Sequence, residues 1–95
     1  MSEGIKHDSG KPNYSYLEPS MLEGVTHVFD FGARKYSRDN WKKLDNGVER
    51  FFNAALRHLL AINAGQTYDE ESGLPHIDHA ITSLLMAVWH SERDE

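Results

Sequence analysis

His76-Ile77-Asp78-His79-Ala80-Ile81-Thr82-Ser83-Leu84-Leu85-Met86-Ala87-Val88-Trp89 is the stretch that decides the fold. Ile77, Ala80, Ile81, Leu84, Leu85 and Val88 recur at helical spacing and mark one apolar stripe along its length. Met86 and Trp89 lie off that stripe, so the helix is apolar on more than one side. A helix of that kind is buried on both faces. In a chain of 95 residues the second face is expected to meet another subunit. The helix begins near Pro75, and an acidic polar loop from Gln66 to Leu74 leads into it.

Upstream, residues Val48 to Ala64 predict a second long helix with Phe52, Ala55, Leu56 and Leu59 on its core face, widened by Phe51 and Ile62. Gly65 is its expected terminator. Arg38 to Gly47 reads as a loop with a short helical turn, ending in the turn signal Asp45-Asn46-Gly47. A first helix is predicted from Pro19 to Tyr36, with Leu22, Val25, Phe29 and Ala33 as its buried stripe. Gly24 and Gly32 inside it point to close approach by another helix, or to an early end near Gly32. Residues 1–17 contain Gly4, Gly10 and Pro12 and little to bury, so they are expected to form a flexible arm able to close over a ligand. No stretch alternates for long enough to build a sheet. The expectation is an all-α bundle of about three main helices over residues 18–95, with an extended N-terminal arm, assembled into an oligomer.

Size points the same way. So short a chain buries only about 60–65% of its unfolded surface, and without cysteine it has neither a disulfide nor a thiolate metal site. Self-association is the remaining way to bury more apolar surface. The net charge of −5 argues against binding a nucleic acid polymer through a general basic surface. Six of the ten Lys and Arg residues nevertheless fall between Arg34 and Arg50, which reads either as a solvated face or as a local anion site. The polar stretch Met1–Tyr14 lacks a signal peptide or membrane anchor, and the longest apolar run, Leu84–Trp89, is too short to span a bilayer. The expected location is the cytoplasm.

Chemistry is suggested most strongly by Asp69-x-Glu71-Ser72-Gly73-x-x-His76-x-x-His79. His76 and His79, three apart at a helix start, share a face. The positive end of the helix dipole there disfavours the charged imidazole and keeps a lone pair available for a metal or a proton. Asp69, Glu71 and Asp78 could add oxygen ligands. The plain alternative is an acidic loop beside two surface histidines. Arg57-His58 lies in the middle of the second helix, with His58 at the border of the core face. The pair reads equally as a structural histidine or as part of an anion site served by the planar arginine. Lys6-His7-Asp8-Ser9-Gly10-Lys11-Pro12 is not a Walker A loop, since Pro12 follows the lysine where Ser or Thr is required. Its two lysines could still reach phosphates. Tyr14, Tyr16, Tyr36 and Trp41 lie at element ends or in loops, where a ring could stack on a base or cap a thin core.

Taken in order, Lys6-x-Asp8-Ser9-Gly10-Lys11-Pro12, Phe31-Gly32-Ala33-x-Lys35-Tyr36, Asn40-Trp41, Arg57-His58-Leu59 and Glu71-Ser72-Gly73-x-x-His76-x-x-His79 resemble a phage and prophage family. That family is described as the N-terminal domain of dATP/dGTP diphosphohydrolase and is related to the MazZ enzymes, which hydrolyse dGTP to dGMP. The resemblance runs from about Lys6 to Leu85. It implies a helical domain that binds a purine nucleoside triphosphate with a divalent metal, Mg²⁺ or Mn²⁺. On matching positions, Lys6, Lys11, Lys35 and Arg57 would face phosphates, and Tyr36 or Trp41 would contact the base. Glu71, His76 and His79 would be metal or acid–base candidates, to which the residues themselves add Asp69 as a metal ligand and His58 as a general base. The MazG-type enzymes use a Glu-Glu-x-x-Glu helix and a Glu-x-x-Asp helix as a carboxylate cage, and neither occurs here. Either the histidine block replaces that cage in a (d)NTP diphosphohydrolase, or the protein is a non-catalytic sponge that sequesters a nucleotide second messenger of host defence.

Overall fold

Small residues at close spacing let two helices approach, and that principle governs this molecule. A computed structural model of the chain describes residues 3–93. Its three helices are α1 (Ser20–Lys35), α2 (Gly47–Asn63) and α3 (His76–Ser91). Single 3₁₀ turns at Tyr14–Tyr16 and Asn40–Lys43 precede α1 and α2. Among the described residues there is no strand, only an isolated bridge between Tyr68 and Pro75. The chain is therefore all-α, with three main helices as expected. Residues 3–13 hold no helix or strand and are exposed. The outermost positions of the expected arm and domain, 1–2 and 94–95, lie outside the described residues.

α2 ends where glycine permits it. Gly65 adopts φ +90°, donates its N–H to Ile62 O at 2.9 Å, and Gln66 N–H reaches Ala61 O at 3.0 Å. This paired capping satisfies carbonyls the helix would leave open. α2 and α3 then run antiparallel. His58 near the end of α2 meets His76 at the start of α3, while Phe51 in early α2 stacks on His90 near the end of α3. This pair makes the most intimate packing in the molecule. Gly47 opens α2 directly against the His90 ring, and a Cβ there would overlap that ring. α1 packs on α3 with Gly24 against the Asp78 carboxylate, the close approach its glycine suggested, whereas Gly32 meets nothing.

The expected core stripes need correction. Of Ile77, Ala80, Ile81, Leu84, Leu85 and Val88, only Ala80 is buried; Ile77 is 56% and Val88 53% exposed. On α2, Ala55 is buried, but Phe52, Leu56, Leu59 and Ile62 are exposed and Phe51 is half-buried. On α1, Val25 is buried, Phe29 and Ala33 are half-buried, and Leu22 is exposed. The inward side of α3 is instead polar and small: His76, His79, Thr82, Ser83, Ala87 and His90. Such a seam is stable because its polar groups are partnered. Thr82, the most completely buried large side chain, donates to Asp78 O at 2.7 Å, and no described buried side-chain nitrogen or oxygen lacks a hydrogen-bond partner.

Turning the aliphatic stripes outward leaves the chain open. The accessible area is 7604 Å², against roughly 5,600 Å² for a compact monomer of this mass. The radius of gyration is 17.0 Å, where a compact chain of this length has about 12–13 Å. The exposed arm and the exposed apolar side chains of α2 and α3 both add to the accessible area. No helix among the described residues is long and apolar enough to cross a membrane.

Candidate functional site

The loop from Gln66 to Pro75 is closed on itself by backbone hydrogen bonds. Asp69 N–H donates to Leu74 O, Gly73 N–H to Asp69 O, and His76 N–H to Thr67 O, each at 2.8 Å. Gly73 adopts φ +74°, which a side chain would strain. This closure brings Asp69 to the first turn of α3, where His76 and His79 already share the inner face. His58 enters from α2. Its ring stacks on His79 (centroids 4.6 Å apart, 11° between planes), and its Nδ1 lies 2.8 Å from Nδ1 of His76. Four of the expected site residues thus form one cluster.

Ser72 organises it. Its N–H and Oγ donate to Oδ2 of Asp69 at 2.9 and 2.8 Å. The single hydroxyl proton is used there, so Oγ accepts from Nε2 of His79 at 2.6 Å. His79 is therefore the Nε2–H tautomer, and its Nδ1 carries the lone pair. The direct His79–Asp69 separation of 3.7 Å is spanned by this hydroxyl. Burial pushes the pKa of His58 and His79 below their ordinary value, and for His58 the neighbouring His79 and His76 add to the effect. Burial alone would raise Asp69, but the two hydrogen bonds from Ser72 and the adjacent histidines outweigh it and hold the carboxylate low.

These shifts predict an acid-labile fold. A histidine held below 6.5 in the folded state binds fewer protons than the unfolded chain once pH falls past 6.5. Stability is then present above that pH and declines as pH drops towards the folded value. The Tm is expected to be flat from neutral pH upward and to decline below about pH 6.5. Thermal unfolding followed by circular dichroism should show a shallower decline for His58→Gln.

Beside the cluster, an open cavity of ≈ 870 Å³ separates α1 from α2, with Met86 of α3 among its lining. It is lined by Phe29, Tyr36, Trp41 and Phe51, by Arg38, Arg50 and Arg57, and by Asn40 and Asn53 among others. Helix geometry relates the two features. Ala54 lines the cavity one turn before His58, about 6 Å along α2, and Met86 lies two turns beyond His79, about 10 Å along α3.

The remaining candidates divide. Arg57, Tyr36 and Trp41 line the cavity. Trp41 also packs against Phe29, Phe51, Trp89 and His90, so much of its ring serves the core, while Tyr36 stays exposed. Lys35 forms an ion pair with Glu71 at 2.5 Å, and the hydrogen bond it donates to that carboxylate raises its pKa. Glu71 is accordingly turned to Lys35 instead of to the histidines. Lys6 and Lys11 stay on the exposed arm and line neither the cavity nor the cluster. Sequence reading did not single out Ser72, although it stands inside the motif, nor Arg38 and Arg50, although the locally positive stretch contains them. His90, whose Nε2–H donates to Trp41 O over 2.9 Å and whose ring stacks on Phe51, had no local signal.

Comparison with known proteins joins this chain to a family. The phage protein named dATP/dGTP diphosphohydrolase from Salmonella phage PMBT28 is 38% identical over 86 residues, which are 90% of this chain and 29% of that protein. The chain thus spans less than a third of the length of that relative. No solved structure matches it. The family model described as dATP/dGTP diphosphohydrolase, N-terminal, matches residues 1–95, and the chain belongs to that family.

Proposed function

We propose that this domain binds a purine (d)NTP such as dGTP or dATP and hydrolyses it to the monophosphate and diphosphate with a divalent metal. The observation that carries this reading is the position of an aromatic, arginine-lined cavity one helical turn from the His58–Asp69–His76–His79 cluster. Tyr36, the freer of the two candidate rings, offers a stacking face for the base. Arg57, with Arg38 and Arg50, offers planar donors to phosphate oxygens. Water attacks the α-phosphorus, the bond to the bridging oxygen breaks, and diphosphate leaves. His79 Nδ1 is the lone pair suited to take the proton of that water, because Ser72 and Asp69 hold the other nitrogen protonated. A divalent ion, when bound, would neutralise phosphate charge. His58, Asp69 and His76 fit a divalent cation as a donor set and are the residues that would hold it.

The same reading includes self-association, with a second copy covering the aliphatic faces of α2 and α3. The excess area supports it: about 2,000 Å² beyond a compact monomer, even shared with the arm, is on the scale that stable dimers bury.

Incubation with dGTP or dATP and Mn²⁺, followed by ion-exchange chromatography, tests the chemistry. Equal amounts of monophosphate and diphosphate are expected. Arg57→Ala removes a charge-assisted contact of about 1.5–3 kcal/mol, which should raise KM roughly 10- to 100-fold. Absence of both products, or release of inorganic phosphate in their place, would contradict the proposal.

A further inference from the structure

The two nitrogen ligands of the cluster discriminate between metals. His58 and His76 aim Nδ1 atoms at each other across 2.8 Å, and with one carboxylate oxygen of Asp69 all three ligand atoms lie within 4.8 Å of one another. Among the described residues no other group of His, Asp or Glu side chains converges in this way. We infer that His58, His76 and Asp69 form a site for a transition-series divalent ion, held more tightly towards the zinc end of the manganese-to-zinc range, and not for magnesium. The inference rests on the nucleotide reading only for what the ion would do; binding itself is independent of any nucleotide.

Donor chemistry is the first argument. Magnesium demands a near-octahedral shell of oxygen and dehydrates reluctantly, whereas imidazole suits iron, nickel, copper and zinc. Here two of three donors are imidazole nitrogens, and Asp69 is the sole carboxylate. Glu71, which would have shifted the balance towards oxygen, is held by Lys35. His79 Nε2 is committed to Ser72.

Distance is the second argument. Two imidazole nitrogens at about 2.1 Å from one ion stand roughly 3.0 Å apart at a right angle and roughly 3.4 Å apart at the tetrahedral angle. The observed 2.8 Å needs to open by only a few tenths of an ångström. Between two neutral rings this short approach holds one proton as a hydrogen bond. A cation taking that place needs the donor ring to shift its proton to Nε2, with no net charge change on the protein.

Preorganisation is the third. Asp69 is fixed by two hydrogen bonds from Ser72, His76 by its backbone bond to Thr67, and His58 by its stack on His79. Ser72 is thus an outer-shell partner of the kind that tunes metal affinity.

The test is a titration of tag-free full chain with CoCl₂, without nucleotide, read by the cobalt d–d absorption and by calorimetry. One ion per chain is expected, displaced by Zn²⁺ and unmoved by a large excess of Mg²⁺. Ser72→Ala should weaken binding about 10- to 100-fold, and His58→Gln, His76→Gln and Asp69→Asn each by more than about 100-fold. His27→Ala, on the exposed side of α1, should leave it unchanged. Far-UV circular dichroism checks each fold, and the half-buried His58 keeps the test decisive should the buried His76 variant unfold. Failure of the folded wild type to take up cobalt, unchanged binding in folded His58→Gln, or displacement of cobalt by equimolar Mg²⁺ would each overturn the inference. Cobalt binding without dNTP turnover would instead leave the metal site standing and remove the hydrolase reading.

Discussion

Replacing Leu84 by aspartate is expected to turn an associated protein into a monomer. Leu84 is exposed in the single chain, within a stripe that also holds Ile77, Ile81, Leu85 and Val88; α2 adds Phe52, Leu56, Leu59 and Leu60, the last 67% exposed. Burying one leucine stabilises by about 1.5–3 kcal/mol. A two-fold interface counts each substitution twice. Association should therefore weaken by roughly 10²- to 10⁴-fold before the cost of burying the new carboxylate is added. Sedimentation or light scattering should report at least twice the chain mass for wild type and a single chain for Leu84→Asp. The helical content should survive, because Leu84 is exposed in the single chain and the buried positions of α3 are untouched. A wild type that is monomeric at every concentration would remove self-association and hand the open faces to another partner, such as the further length present in the longer phage relative.

His79→Gln carries the second large effect. The imidazole is held between the Ser72 hydroxyl and the His58 ring, with Nδ1 as its free lone pair. Glutamine keeps an amide donor for Ser72 but has no basic nitrogen. If His79 takes the proton of the attacking water, turnover should fall about 10²- to 10⁴-fold with little change in KM, because Arg57 and the aromatic lining are untouched. The wild-type pH profile supplies an independent signature. Burial holds His79 below 6.5, so its neutral, competent form persists through neutral pH. The acid limb of kcat should fall below pH 6.5 and disappear in the variant. Turnover within tenfold of wild type would exclude this role, and a large rise in KM would make His79 a binding group.

How much of this was legible in the residues depends on the range of the forces involved. Helix α2 was expected at Val48–Ala64 and spans Gly47–Asn63, while α3 starts one residue past Pro75. Helical periodicity, a proline at one end and a glycine at the other act within a turn or two of chain, so a local pattern states them. The motif Asp69-x-Glu71-Ser72-Gly73-x-x-His76-x-x-His79 likewise announced a compact polar site, since its parts lie within one loop and one helical turn. Which member went where was not announced. Glu71 turned to Lys35, thirty-six positions earlier, and the side chain that meets His76 is His58, from another helix.

The sequence by itself determined three helices, their ends, their apolar stripes and the histidine-bearing turn. Tertiary structure alone decided which side of each helix turned inward. Periodicity measures how apolar a face is and carries no information on what it will meet. Small side chains such as Ala55, Ala80 and Thr82, with histidines able to satisfy one another, allowed a closer seam than the leucines could. The bulky stripes consequently face outward in the single chain, and His58, His76 and His79 stand together at the inner seam.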